Sequence, residues 1–216
     1  MNPSLRIQTG RWKGRAIPIP SQVKGNSNFT PAILKKSIFS ILDGLREKGK
    51  INFKHSAFID LFAGSGQMGM EALSNGFAKV LFYEMAKERF AGLVDLLKEH
   101  RDSAYLFKKD SFRQHSNLPE LDGIEHLVYF IDPPYLHWSG SNAKIHSLID
   151  GILSSSNLPK TILIQAPNQP KLDGYSFREL GNHSLYLIQT YSDIGITQDL
   201  ELNDNESSDS EVDARK

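Results

Sequence analysis

Ala57-Phe58-Ile59-Asp60-Leu61-Phe62-Ala63-Gly64-Ser65-Gly66-Gln67-Met68-Gly69 decides the fold. Its first six residues form a nearly continuous apolar run, the mark of a buried strand. Gly64, Gly66 and Gly69 follow at the G-x-G-x-x-G spacing, and the next residues, through Ser74, predict a helix. Gly64 and Gly66 allow a ligand close to the backbone, and Gly69 allows the helix close to the strand. Working outward, Lys79–Tyr83, Tyr105–Phe107, His126–Ile131 and Thr161–Ile164 read as further strands. Helices are expected over Lys87–His100, with Phe90, Leu93, Val94 and Leu97 as the apolar stripe, and over Asn142–Leu153. Strands alternating with helices imply an α/β fold: a mostly parallel sheet covered on both faces. Residues 175–180 and 185–191 predict a closing hairpin.

Upstream, Leu5–Gln8 and Arg15–Ile19 predict a hairpin through Thr9–Gly14, followed by a polar loop over residues 20–28. Thr30-Pro31 predicts a helix start, with Thr30 as N-cap and Pro31 in the first turn. Ile33, Leu34, Ile38, Ile41, Leu42 and Leu45 then recur at helical spacing. Three segments are expected: a basic hairpin extension over 1–29, a main domain over 30–198 and a disordered acidic tail over 199–216.

The chain has 216 residues, 25 basic and 25 acidic side chains and no cysteine. Disulfides, thiolate metal sites and a cysteine nucleophile are therefore excluded. The seven histidines show no ligand spacing, so no metal is expected. No apolar stretch is long enough for a membrane helix, and Met1–Arg6 lacks a signal-peptide core. The expectation is a cytoplasmic monomer with no membrane partner. The zero net charge hides a gradient: residues 1–50 carry a net +8 and residues 199–216 a net −5. The basic segment suits a polyanion.

Asp60 ends the first strand four residues before Gly64, where a pyrophosphate gains nothing from a carboxylate. A ligand carrying an amine and a sulfonium would gain. Glu84 ends the second strand, where a carboxylate accepts from ribose hydroxyls. Asp110 follows the third strand and suits an adenine amine. The fourth strand runs into Asp132-Pro133-Pro134-Tyr135. The prolines fix the backbone, so the Asp132 carboxylate and the Pro133 carbonyl are rigid acceptors. Such acceptors suit an exocyclic base amine attacking a methyl group, with Tyr135 stacking on the base. Trp12 among Arg6, Arg11, Lys13 and Arg15 combines a stacking surface with phosphate binders. Lys35 and Lys36 add two cations on the first helix. Ser65 is outside any G-x-S-x-G elbow, which disfavours a hydrolase.

Asp60–Gly66, Gly69–Ser74, Glu84-Met85, Asp132–Tyr135 and the opening Arg6–Arg15, with Pro18 and Pro20, resemble the RsmD family. These are class I S-adenosylmethionine-dependent methyltransferases of guanine N2 in small-subunit (16S) ribosomal RNA. The resemblance covers residues 5 to about 191. It implies a Rossmann-like class I fold with a seven-stranded, mostly parallel sheet, and S-adenosylhomocysteine as product. It implies cofactor contacts at Asp60, Phe62, Ala63, Gly64, Ser65, Gly66, Glu84, Met85, Asp110 and Ser111. It implies catalysis at Asp132, Pro133, Pro134 and Tyr135, and ribosomal RNA or the small subunit as partner. Asn28-Phe29-Thr30 replaces the family's Arg-Pro-Thr, Lys36 an acidic residue, and Gln165 a Glu at the end of the fifth strand. The closing glycine motif is not evident near Ser184–Tyr191. Three alternatives stand beside this: an adenine-N6 DNA methyltransferase, a non-catalytic RNA-binding protein of the same fold, and an NAD enzyme. Asp60 argues against the last.

Overall fold

The computed structural model describes residues 5–17, 30–115, 118–138, 142–191 and 194–197. Short strands β1 (Leu5–Arg6) and β2 (Ala16–Ile17) pair antiparallel as the expected hairpin, with a one-turn helix at Gly10–Trp12 between them. Helix α1 (Ala32–Glu47) follows. Strand β3 (Ser56–Asp60), helix α2 (Gln67–Asn75), β4 (Lys79–Tyr83), α3 (Lys87–Leu96) and β5 (Ala104–Phe107) come next. The chain continues through α4 (Ser111–Gln114), β6 (His126–Ile131), α5 (Ala143–Ser154), β7 (Lys160–Pro167), β8 (Phe177–Leu180), β9 (His183–Tyr191) and β10 (Ile194–Thr197).

The sheet runs β10-β9-β7-β6-β3-β4-β5, with β8 also pairing β9. Strands β3 to β7 are mutually parallel, and β9 is antiparallel to β7. The order reverses direction at β3, so the crevice at the strand C-termini there is the natural ligand site of an open α/β sheet. The eighth strand is β10, beyond the seven expected. The expected tail at 199–216, the loop at 20–28 and the hairpin's Pro18, Ile19 and Pro20 lie outside the described residues.

Alternation along the strands divides the core. One face presents Phe58, Phe82, Phe130, Leu163 and Leu185 to α1 and α2. The other presents Ile59, Leu81, Tyr129, Ile131 and Ile162 to the α5 side. Gly69 is where α2 comes closest to the sheet. A Cβ built there would lie 2.0 Å from the Phe82 ring, so only glycine fits. Three expectations change. Thr30 does not cap α1, whose cap position is Pro31 without a side-chain bond. Ile33 is 68% exposed and Val94 42% exposed, because each lies on the solvent side of its helix. The helical stretch from Lys87 breaks at Leu96, and Lys98–His100 form a separate 3-10 turn.

Helix α2 is buried on both sides. Gln67, Glu71, Ser74 and Asn75 share its outer stripe at i, i+4, i+7, i+8 spacing, and the hairpin covers it. The Glu71 carboxylate, fully buried, accepts from Gln8 N at 2.6 Å, Thr9 N at 3.0 Å and Thr9 Oγ1 at 2.8 Å. Ser74 Oγ donates to the Thr9 carbonyl at 2.7 Å and accepts from Trp12 N at 2.9 Å. Lys35 completes the knot. Its Nζ lies 3.6 Å from Glu71 Oε1 and donates to Gln67 Oε1 at 2.8 Å and the Arg6 carbonyl at 3.2 Å. Burial pulls the Lys35 ammonium below its ordinary range, and Glu71 opposes that pull. Lys35 is 2% exposed. Its expected surface role as a nucleic-acid contact is replaced by an internal one.

Removing one member of such a pair strands the other charge in the core. Glu71→Ala is expected to destabilise the protein by about 3–5 kcal/mol in urea unfolding. Adding Lys35→Met to Glu71→Ala is expected to recover part of that loss.

Candidate functional site

The C-terminal ends of the strands carry a row of polar side chains on one sheet face. Asp60 ends β3, in register with Phe82 of β4 and Phe130 of β6. Glu84 and Asp132 stand two residues further along those strands, and the face repeats every two residues. The three acids therefore share one face and one edge. Glu84 and Asp132 line a cleft of about 1280 Å³, together with Phe62, Gly64, Asp110 and Tyr135 among others.

The glycine turn is built as the spacing required. Gly64 (φ +54°) and Gly66 (φ +78°) take left-handed conformations that strain any residue with a Cβ. The Glu84 carboxylate accepts from Gly64 N at 2.9 Å and from Ala86 N at 2.7 Å, tying the turn to β4. Each oxygen keeps lone-pair capacity for a ligand hydroxyl. Asp60 Oδ2 accepts from Gly69 N at 3.2 Å inside the first turns of α2. Its Oδ1 is buried with no hydrogen-bond partner among the described residues. Burial pushes the Asp60 carboxyl up to about 7, and the neighbouring Asp132 and Glu84 charges add to the rise. Burial likewise pushes Asp132 up to about 7, opposed by Thr30. Thr30 Oγ1 lies 3.4 Å from Asp132 Oδ2, a contact that replaces the cap expected of it.

Crowded, buried acids whose carboxyls burial raises suit a positively charged ligand. S-adenosylmethionine fits that chemistry. The cleft is also large enough for a ligand of drug size or more. Phe62, Gly64, Glu84, Met85, Asp110 and Ser111 line the cleft, as do Asp132, Pro133, Pro134 and Tyr135. Asp60, Ala63, Ser65 and Gly66 do not line it. Gly66 instead turns toward α3, where a Cβ would lie 2.6 Å from Leu93 Cδ2. Ser65 Oγ accepts from Gln67 Nε2 at 3.1 Å, and Ser111 Oγ donates to the Leu61 carbonyl. Asp110 caps α4 by accepting from Phe112 N at 3.1 Å. It has a structural duty besides its place in the wall.

The basic hairpin is not beside the cleft. Gly10–Trp12 meets Ser74, and the Trp12 ring lies 4.8 Å from that of His100. Both partners sit at the N-terminal edge of the strands, because helices run back from the C-terminal edge. Trp12 is half-buried, with the Arg11 guanidinium 4.6 Å and the Arg15 guanidinium 5.7 Å from its ring centre. Arg6 donates to the Gly14 carbonyl at 2.8 Å, and Lys13 is exposed. Lys36 is exposed on α1. Sequence reasoning missed a second cationic set: Arg89, Lys109, Arg113 and Lys144 line the cleft itself. They come from three separate segments, so no local charge cluster announces them. Tyr135, Leu136 and Met85 form an exposed apolar lip, 49%, 70% and 65% accessible. Among the described residues no group of His, Asp and Glu is suited to hold a metal. None of their helices is long and apolar enough to cross a membrane.

The raised carboxyls set a pH dependence. Asp60 and Asp132 bind protons more tightly in the folded chain than in the unfolded one. They favour folding at low pH, and that advantage is lost as pH rises through about 7. His126, pushed down to about 4 by burial, acts oppositely but only below the unfolded histidine range. The ligand-free protein is therefore expected to lose about 1 kcal/mol of stability between about pH 6.5 and pH 8. Asp60→Asn is expected to remove about half of that slope in denaturant titrations.

A family model described as conserved hypothetical protein 95 matches residues 5–173. The ribosomal RNA small subunit methyltransferase D of Haemophilus influenzae is 31% identical over 140 residues, 61% of this chain and 64% of that protein. Its namesake in Escherichia coli is 28% identical over 134 residues, 61% of this chain and 60% of the relative. The matched stretch thus spans a little under two thirds of these relatives. Among solved structures, the yhhF protein of Escherichia coli, described as a methyltransferase, superposes with a TM-score of 0.65 at 20% identity. That superposition covers 88% of this chain and 99% of that one, and it establishes the fold as the Rossmann-like class I methyltransferase type. By the match over residues 5–173, the chain belongs to the family of conserved hypothetical protein 95, the RsmD family.

Proposed function

We propose that the protein is an S-adenosylmethionine-dependent methyltransferase that acts on the exocyclic N2 amine of a guanine in small-subunit ribosomal RNA. The observation that carries this reading is the row of acids at the strand ends, with Asp60 Oδ1 buried and unpartnered and Asp132 fixed by two prolines. The relatives named as ribosomal RNA small subunit methyltransferases support this substrate class.

S-adenosylmethionine, when bound, supplies an electrophilic methyl group. Asp60 balances the ligand's positive charge at the floor of the site, and Glu84 accepts from ribose hydroxyls. Gly64 borders the ligand, and Asp110 with Ser111 forms the far wall. Asp132 and the Pro133 carbonyl accept the two N–H bonds of the substrate amine. Its lone pair is delocalised into the ring, so it is a weak nucleophile. Accepting both hydrogen bonds draws the nitrogen toward tetrahedral geometry and supports the charge that develops as the lone pair attacks. Thr30, donating to Asp132, fixes the carboxylate's orientation. Tyr135 and the apolar lip stack against the base. One amine proton then passes to the Asp132 carboxylate and on to solvent, the methyl–sulfur bond having broken, and S-adenosylhomocysteine is the product. Positioning of amine and methyl supplies much of the remaining acceleration.

The RNA approaches in two places. Arg89, Lys109, Arg113 and Lys144 hold phosphates around the target nucleotide. Arg6, Arg11, Lys13, Arg15 and Lys36, with the edge of Trp12, grip a more distant part of a folded RNA. A single chain supplies every group in this scheme, so the protein works as a monomer, in the cytoplasm where ribosomes are made.

Labelled-methyl transfer to small subunits from cells lacking the gene, followed by nucleoside digestion, tests the reading. Label is expected in N2-methylguanosine; no label there, with label in N6-methyladenine when DNA is offered instead, would replace it with the runner-up. Asp132→Asn is expected to lower kcat by at least about 1000-fold and leave the S-adenosylmethionine Kd within a few-fold. A parallel loss of cofactor affinity would contradict that division of roles. The two cationic sets also separate by substrate size. Lys109→Glu with Lys144→Glu is expected to raise KM about tenfold or more for both short RNA and whole subunits. Arg11→Glu with Lys13→Glu is expected to raise it only for whole subunits.

A further inference from the structure

The row of strand-end side chains does not stop at Asp132. Ile131 of β6 is in register with Ile164 of β7, so Asp132 and Gln165 are the next neighbours along these strands. Gln165 shares the face of Leu163, and its partner across β9 is Leu185. His183, two residues before Leu185, continues the same face on β9. Gln165 and His183 both line the cleft. Gln165 is 6% exposed, and its Oε1 is buried without a hydrogen-bond partner among the described residues. His183 Nδ1 is in the same condition. A buried polar atom left without a partner costs free energy, and at a cleft it marks where a ligand group belongs. The charge also changes along the row. Glu84, Asp60 and Asp132 are acids; Gln165 is neutral, and burial pushes His183 down toward its neutral form.

We propose that the Gln165 amide reads the Watson–Crick edge of the base whose amine lies against Asp132, and so selects guanine. This rests on the reading of the site given above. The argument is one of order along the edge. Guanine presents its N2 amine, then the N1–H donor, then the O6 acceptor. A side-chain amide placed next to the amine-binding carboxylate matches both: its oxygen accepts from N1–H and its NH2 donates to O6. Adenine with its N6 amine at Asp132 presents N1, an acceptor without hydrogen, and then a C–H. The amide can then make one bond instead of two, and one of its polar atoms stays buried and unpaired. His183, further out on the same face of β9, adds a second neutral polar group to the cleft wall. Gln165 is a specificity-determining residue in this scheme, while Asp132 carries the chemistry.

The test uses two RNA fragments that contain the modified guanine, one natural and one with 2-aminopurine in its place. The analogue keeps the reactive amine and lacks both N1–H and O6. The wild-type protein is expected to prefer guanine by about 100-fold or more in kcat/KM. Gln165→Met, similar in size and without hydrogen-bonding atoms, is expected to lower kcat/KM on guanine by about 10- to 100-fold. It should lower transfer to 2-aminopurine, where the amide has only N1 to bond, far less than transfer to guanine, so that the preference collapses, with cofactor affinity intact. A purely structural role would lower both substrates together and keep the ratio, and that result overturns the proposal. Gln165→Glu covers the case in which the methionine variant does not fold. A carboxylate still accepts from N1–H but cannot donate to the bare N1 of 2-aminopurine, so the preference should hold or grow; a fall overturns the proposal. Wild-type protein that methylates neither fragment would instead overturn the reading of the site, a failure distinct from an unchanged ratio.

Discussion

Glu71 is the point on which the rest of the molecule hangs. It is a fully buried carboxylate in the middle of α2, held by two backbone amides, one hydroxyl and the Lys35 ammonium. Those four partners come from the hairpin and from α1. The outer side of α2 is thereby clamped, while Gly69 presses its inner side onto Phe82. A helix fixed on both faces fixes its own beginning. The Gly64–Gly66 turn and the Gly69 amide that meets Asp60 are set by that clamp. The hairpin, far from the cleft, thus contributes to the geometry of the cleft.

Two electrostatic environments meet at the strand ends. The floor is acidic: burial raises the Asp60 and Asp132 carboxyls, and the Asp132 and Glu84 charges add to the rise at Asp60. The rim is basic. A cationic ligand fits the floor, and a polyanion fits the rim. Separating opposite charges by depth lets one cleft receive two partners of opposite sign without either neutralising the other's seat.

The parts legible in the sequence were those with a local physical signature. The glycine turn, the buried strands, the acids that end β3 and β4, and the Asp-Pro-Pro-Tyr turn each announce themselves within a few residues. All four appear where the spacing put them. The misreadings share a cause: the partner is distant in sequence. Lys35 looks like a surface cation until Glu71, thirty-six residues away, is brought beside it. Thr30 has the composition of a helix cap, but its hydroxyl faces Asp132, 102 residues on. Trp12 among basic residues looks open, yet His100 lies against its ring. The cationic rim is assembled from α3, the β5–α4 junction and α5, and no window of sequence holds it. Ile33 and Val94 continue an apolar period onto helix faces left exposed among the described residues.

The pairing around β9 has one further effect. The outer side of β9 is covered in two pieces, β8 over its start and β10 over its end. The opposite border of the sheet is β5, only four residues long. Neither margin offers a long run of unpaired amides and carbonyls to a second chain. Short or patched margins of this kind suppress edge-to-edge association, the usual route by which exposed strands nucleate aggregates. A parallel sheet assembles slowly because its contacts join distant segments, so guarded borders matter most while the chain is still folding.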